Sequence, residues 1–140
     1  MADWWQWSPK KEEEALTFAV VGVGRFGTAV CRELISNGVD VLAADSSEKA
    51  IDDLRQLEPS IEARVIDCTD EESMKESGIL EMNTVVVGIS EPIEASITTT
   101  LIAKDSEGTK VKRVIARATS DLHEKMLKRC LLYTSDAADE

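Results

Sequence analysis

Residues 20–30 read VVGVGRFGTAV. A short β-branched run enters the glycines Gly22, Gly24 and Gly27 and leaves into a helical pattern. Each glycine answers a separate steric demand. Gly22 permits a tight turn, Gly24 lets the backbone approach a pyrophosphate, and Gly27 lets helix and strand pack closely. The start of the helix adds unpaired N–H groups and a partial positive charge, so the bend suits an anion. Glycines at this spacing are weak evidence alone. With a strand before them and a helix after them, they predict a nucleotide phosphate site.

Two carboxylates stand where such a ligand would need them. Asp45 closes the run VDVLAAD, and a carboxylate there accepts both ribose hydroxyls and repels a 2′-phosphate. NAD is therefore expected over NADP. The same carboxylate could instead cap the following helix, and the two roles are compatible. Ser46, next to it, is assigned to the same site, and either Ser46 or Ser47 can cap that helix. Asp67 closes IEARVID, at the carboxyl end of a strand where ligands bind, and Cys68 adjoins it. Arg25 sits inside the glycine loop as a cation able to reach terminal phosphates, the alternative being a solvated surface arginine.

Hydride transfer also needs an acid–base group against a substrate. The only histidine is His123 and the only tyrosine is Tyr133. No Tyr-x-x-x-Lys pair, metal cluster or nucleophile–base pair is legible, so no catalytic residue and no metal ligand is assigned.

The elements around these residues alternate. Strands are expected at 17–23, 39–45, 61–67, 84–90 and 113–118. Between them lie helices over 27–37, then one carrying Ala50, Ile51, Leu54 and Leu57, and a short one over 70–77. A fourth helix carries Ile93, Ile97 and Leu101 and closes near Gly108; a last one, capped by Ser120, carries Leu122, Met126 and Cys130. Strands apolar on both faces imply a parallel sheet covered on both sides. Right-handed crossovers make the expected fold α/β, a Rossmann-like doubly wound sheet of order 3-2-1-4-5.

The chain has 140 residues and a net charge of −11, enough for one domain with a real core. That charge repels phosphate backbones, so nucleic acid is not an expected partner. Cys31, Cys68 and Cys130 show no CxxC spacing and are odd in number, which fits reduced thiols. No apolar run reaches the roughly 18–20 residues that span a bilayer, and no signal-peptide core is visible, so the chain reads as cytoplasmic. Residues 1–16 hold all three tryptophans, Pro9 and a KKEEE run, and read as a flexible tail or as an aromatic anchor.

The segments FAVVGVGRFGTAVCREL, VLAAD, DCTDEESMKESGI, EASITTTLIAK and RVIARATSDLHEKML resemble, in that order, the N-terminal RCK domain, also called KTN or TrkA-N. They are most similar to the form found in regulatory subunits of Ktr/Trk potassium-uptake systems. The resemblance implies a Rossmann-like homodimer assembled into a ring beneath a membrane-embedded potassium transporter subunit, peripheral to the inner face of the cell membrane. It implies binding of NAD(H) or ATP/ADP with conformational gating and no turnover. Gly22, Gly24, Phe26 and Gly27 match the family's phosphate loop and Arg25 its phosphate-meeting arginine. Asp45 matches its ribose acid, and Asp67 and Cys68 its third-strand pair. Ile89, Ser90, Glu91, Arg117 and His123 fall at family positions near the adenosine or phosphates.

Two departures stand out. Ile66 occupies a position where many members carry glycine, and its side chain is expected to crowd the base. The family also continues into a sixth strand, whereas this chain ends LLYTSDAADE, a string like a translated sequencing adaptor. Residues 131–140 are accordingly expected to be non-native, leaving 17–130 as the nucleotide-binding domain of a longer natural protein. Their three acids and no bases take the charge from −11 to −8, so the acidic balance survives. The alternatives are an N-terminal fragment of an NAD-dependent oxidoreductase, and a redox-sensing nucleotide-binding module with another partner.

Overall fold

The computed structural model describes residues 16–132. The expectations for the N-terminal tryptophans, for Tyr133 and for the terminal string therefore fall outside the described residues, wholly or nearly so. Five strands run β1 Phe18–Val21, β2 Val41–Asp45, β3 Glu62–Val65, β4 Thr84–Val87 and β5 Arg113–Ala116. Among the described residues the helices are α1 Arg25–Ser36, α2 Glu48–Leu57, α3 Glu71–Ser77, α4 Ile93–Asp105 and α5 Asp121–Leu132, with a 3-10 turn at Ile79–Glu81. All pairings are parallel and the order is β3-β2-β1-β4-β5, as the crossover rule requires.

Alternating side chains divide the core into two layers. Ala19, Val21, Ala44, Val85 and Val87 point to one face, where Met74 of α3 and Ala103 of α4 cover them. Val20, Ala43 and Val86 point to the other, under Cys31 of α1 and Ile51 and Leu54 of α2. Period-2 alternation thus distributes an almost unbroken apolar run between two helical layers.

Local chemistry places the helix ends. Ser47, rather than Ser46, caps α2, its hydroxyl accepting the Ala50 N–H at 3.1 Å. Asp70 caps α3 by accepting the Ser73 N–H at 3.0 Å, and Gly78 closes that helix with φ +95°.

Five sequence expectations need correction. The strands are shorter than drawn, because Gly22 and Val23 leave β1 for the turn. The edge strands are not apolar on both faces: β3 buries only Ala63, and Val65 and Ile115 are each more than two-fifths exposed. Leu57 lies half exposed in the last turn of α2. Most instructively, α4 buries Ser96, Thr99, Thr100 and Ala103, while its stripe of Ile93, Ile97 and Leu101 faces outward or lies half buried. In α5 the buried residues are His123 and Leu127; Leu122 and Met126 are exposed. Small side chains let α4 lie close to its neighbours, so its bulky stripe goes to the far side.

Candidate functional site

The turn after β1 is held by two strands. Gly22, at φ +92°, donates its N–H to the Ala44 carbonyl at 2.8 Å, and Gly88 donates to Val21 at 2.7 Å. A Cβ on Gly22 would lie 2.8 Å from the Ile89 nitrogen, and one on Gly27 only 1.9 Å from the Gly22 carbonyl oxygen. These two glycines let backbone pass backbone. Gly24 differs, because a Cβ there meets nothing within 4 Å. It is the exposed N-cap of α1 and makes no side-chain cap; the first turn carries no acid. The leading N–H groups of α1 thus begin beside open space, where an anion would satisfy them.

Gly24 also lines a cleft of about 270 Å³ at the carboxyl ends of the strands, between β1 and β4, where the sheet order reverses. Gly22, Gly24, Asp45, Ser46, Asp67 and Cys68 line one side and Ile89, Ser90 and Glu91 the other. Gly88, Thr69, Pro92 and Ala95 also line it and were not singled out from the sequence. The signal for Gly88 was available: it follows TVVV at the end of the strand beside β1.

Both carboxylates are preorganised. Asp45 accepts the Val23 N–H through Oδ2 and the Ser47 N–H through Oδ1, both at 2.8 Å. It ties the glycine turn to the start of α2, lines the cleft and keeps acceptor capacity beyond these two bonds. Asp67 accepts the Thr69 hydroxyl at 2.6 Å and the Thr69 N–H at 3.0 Å. The Thr69 hydroxyl first, and its N–H second, hold the Asp67 carboxyl below the usual carboxylate range. Cys68 is buried, and burial, reinforced by the Asp45 and Asp67 charges, pushes its thiol up to about 12. It is a protonated, unreactive wall.

Five expected site residues stand apart from the cleft lining. Gly27 packs α1 onto the turn. Arg25 lies in the first turn of α1 and lines a separate groove with Thr28, Arg32 and Asp53. The Arg117 guanidinium lies 5.0 Å from the centre of the Phe26 ring, so these two occupy one another. His123 is fully buried; its Nε2 lies 2.9 Å from the Ser96 Oγ and its Nδ1 accepts the Thr119 N–H at 3.1 Å. Helical spacing could not reveal this, because Ser96 comes from α4. Ile66 is partly buried against the core and does not line the cleft.

Among the described residues, the lining holds the acids Asp45, Asp67 and Glu91 and no base, and no group of three potential ligands gathers as for a metal ion. A glycine turn at the switch point of a parallel sheet, roofed by a helix start and flanked by two strand-end carboxylates, defines a Rossmann-type domain. The chain belongs to the TrkA-N domain family, matched over residues 18–135.

Ktr system potassium uptake protein C of Bacillus subtilis (strain 168) is 38% identical over 112 residues, 80% of this chain and 48% of that protein. Ktr system potassium uptake protein A of Vibrio alginolyticus is 37% identical over 112 residues, 80% and 49% respectively. This chain thus spans about half the length of these curated relatives. Among solved structures, the TrkA-N domain of inner membrane protein ybaL from Escherichia coli superposes with a TM-score of 0.69 at 20% identity, over 83% of this chain and 82% of that one. The GsuK channel bound to NAD superposes with a TM-score of 0.67 at 12% identity, over 91% and 24%. Both share the fold.

Proposed function

We propose that this domain is the nucleotide sensor of a potassium-uptake regulatory subunit. It binds NAD(H), or ATP/ADP, and gates a membrane-embedded potassium-translocating subunit by changing shape. The observation that carries the reading is the open cradle over Gly24, with Asp45 and Asp67 across the cleft. Two Ktr system relatives supply the transport context. The chemistry of the lining favours binding without turnover: its only thiol is protonated, and His123 is locked elsewhere.

Asp45 would accept ribose hydroxyls, and Asp67 donor groups of the adenosine half. The phosphates would rely on the start of α1. Because three acids and no base face the cleft, a pyrophosphate diester suits a single copy better than a triphosphate, whose extra charge needs a cation from outside. Arg25, which lines the adjoining groove, could supply it to a neighbouring copy in a homodimer or ring. Different ligands would then stabilise different angles between paired copies, and only that difference in affinity shifts the assembly.

Titration calorimetry with NADH, NADPH and ATP tests the reading. NADH is expected to bind and NADPH to bind more weakly, its 2′-phosphate opposed by Asp45. Silence with both NADH and ATP, or steady oxidation of a metabolite by the protein with NAD⁺, would overturn it.

A further inference from the structure

On the buried face of α4 the Ser96 and Thr99 hydroxyls have specific partners. The Thr99 hydroxyl donates to the Cys68 carbonyl at 3.0 Å, and Cys68 lines the cleft. Ser96 follows Ala95, another lining residue, and meets His123 of α5 at 2.9 Å. A backbone N–H can only donate, so the Thr119 N–H at Nδ1 leaves the ring proton on Nε2, which donates to Ser96. The His123 N–H in turn donates to the Ser120 hydroxyl at 3.1 Å. Near the other end of the helix pair, the Lys104 ammonium donates to the Cys130 carbonyl of α5. The two helices are therefore bonded at both ends, and α4 is bonded to the cleft wall.

We infer that α4 and α5 form one transmission unit, and that the Ser96–His123 hydrogen bond carries cleft occupancy to α5. The inference rests on the nucleotide-binding reading. A ligand that closes the cleft moves Pro92 and Ala95, at the start of α4. Packed interiors transmit such a shift instead of absorbing it. The hydrogen bond determines whether α5 follows. His123 is a positioning residue, acting through α4, and needs no contact with ligand.

The test is hydrogen exchange followed by mass spectrometry on the full chain, with and without NADH. In the unaltered protein NADH is expected to slow exchange in the glycine turn and at 88–95, and also to change exchange in 121–131. In Ser96→Ala and His123→Phe the response at the turn should persist, with NADH affinity within about threefold, while the response of α5 falls at least severalfold. His123→Gln, whose amide can donate to Ser96, should restore part of it. Ser96→Ala removes one oxygen, so it keeps the test valid if His123→Phe does not fold. Absence of any response at the turn would sink the nucleotide reading and this inference with it. A response at the turn without one in α5, or an α5 response unchanged in Ser96→Ala, would overturn this inference alone.

Discussion

Gly24 and Gly27 lie three residues apart in one motif, yet the same substitution should damage different properties. A Cβ on Gly27 would sit 1.9 Å from the Gly22 carbonyl oxygen and 2.9 Å from its carbon. Carbon–oxygen contacts settle near ~3.3 Å, so α1 would have to retreat from the turn by roughly 1.4 Å. The opposing atoms are backbone and cannot rotate away, which puts Gly27→Ala at the upper end of overpacking costs, about 3 kcal/mol. At about 4 °C per kcal/mol for a domain of this length, Tm should fall by roughly 10–15 °C. Gly24→Ala adds its methyl to open space at φ −74°, so stability should fall only by the poorer capping of Ala, about 1 kcal/mol or less. The methyl then occupies room that a phosphate needs, and the Kd for NADH should rise about 10–100-fold, or about 1.4–2.8 kcal/mol. Thermal unfolding by circular dichroism reads the first effect and titration calorimetry the second. A Gly27→Ala protein that melts with the parent would refute the close-contact reasoning. A folded Gly24→Ala protein with unchanged NADH affinity would show that the cleft is not where the nucleotide sits.

Other expectations follow from the same geometry. Arg25→Ala should weaken ATP more than ADP, since only ATP presents a γ-phosphate; equal losses by calorimetry count against that role. Cys68 should resist iodoacetamide in the native protein, because a thiol titrating at about 12 is only about 0.01% thiolate at pH 8. Its alkylation should increase as the pH approaches 12 or on unfolding, and mass spectrometry of the labelled peptide checks both. Thr69→Ala should raise the Asp67 carboxyl back toward its ordinary value of 3.8, as followed by carboxyl carbon NMR over a pH series. The sign is that of a depressed acid: the Thr69 contribution is present above the unfolded value and is lost as the pH falls through the folded one. Ser47→Ala should destabilise the domain by about 1 kcal/mol through loss of the α2 cap, seen as a lowered urea midpoint at unchanged slope.

The order of elements, the parallel sheet and its strand sequence could be read from the chain, because each follows from local rules. Apolar runs make strands, Gly22 requires a turn, and right-handed crossovers leave few topologies. The place of Asp45 and Asp67 in the cleft lining was legible because residues at the carboxyl ends of parallel strands face the crevice. The burial of α4 and α5 was not legible. A four-residue stripe such as Ile93, Ile97 and Leu101 announces that one face is apolar, but not that this face meets the core. Packing distance governs that, and the small face of Ser96, Thr99, Thr100 and Ala103 fits against the sheet. Long-range partners were equally hidden: Ser96 for His123 and Phe26 for Arg117. Hydrogen bonds and stacking between residues tens of positions apart leave no local period, so these assignments required the folded arrangement itself.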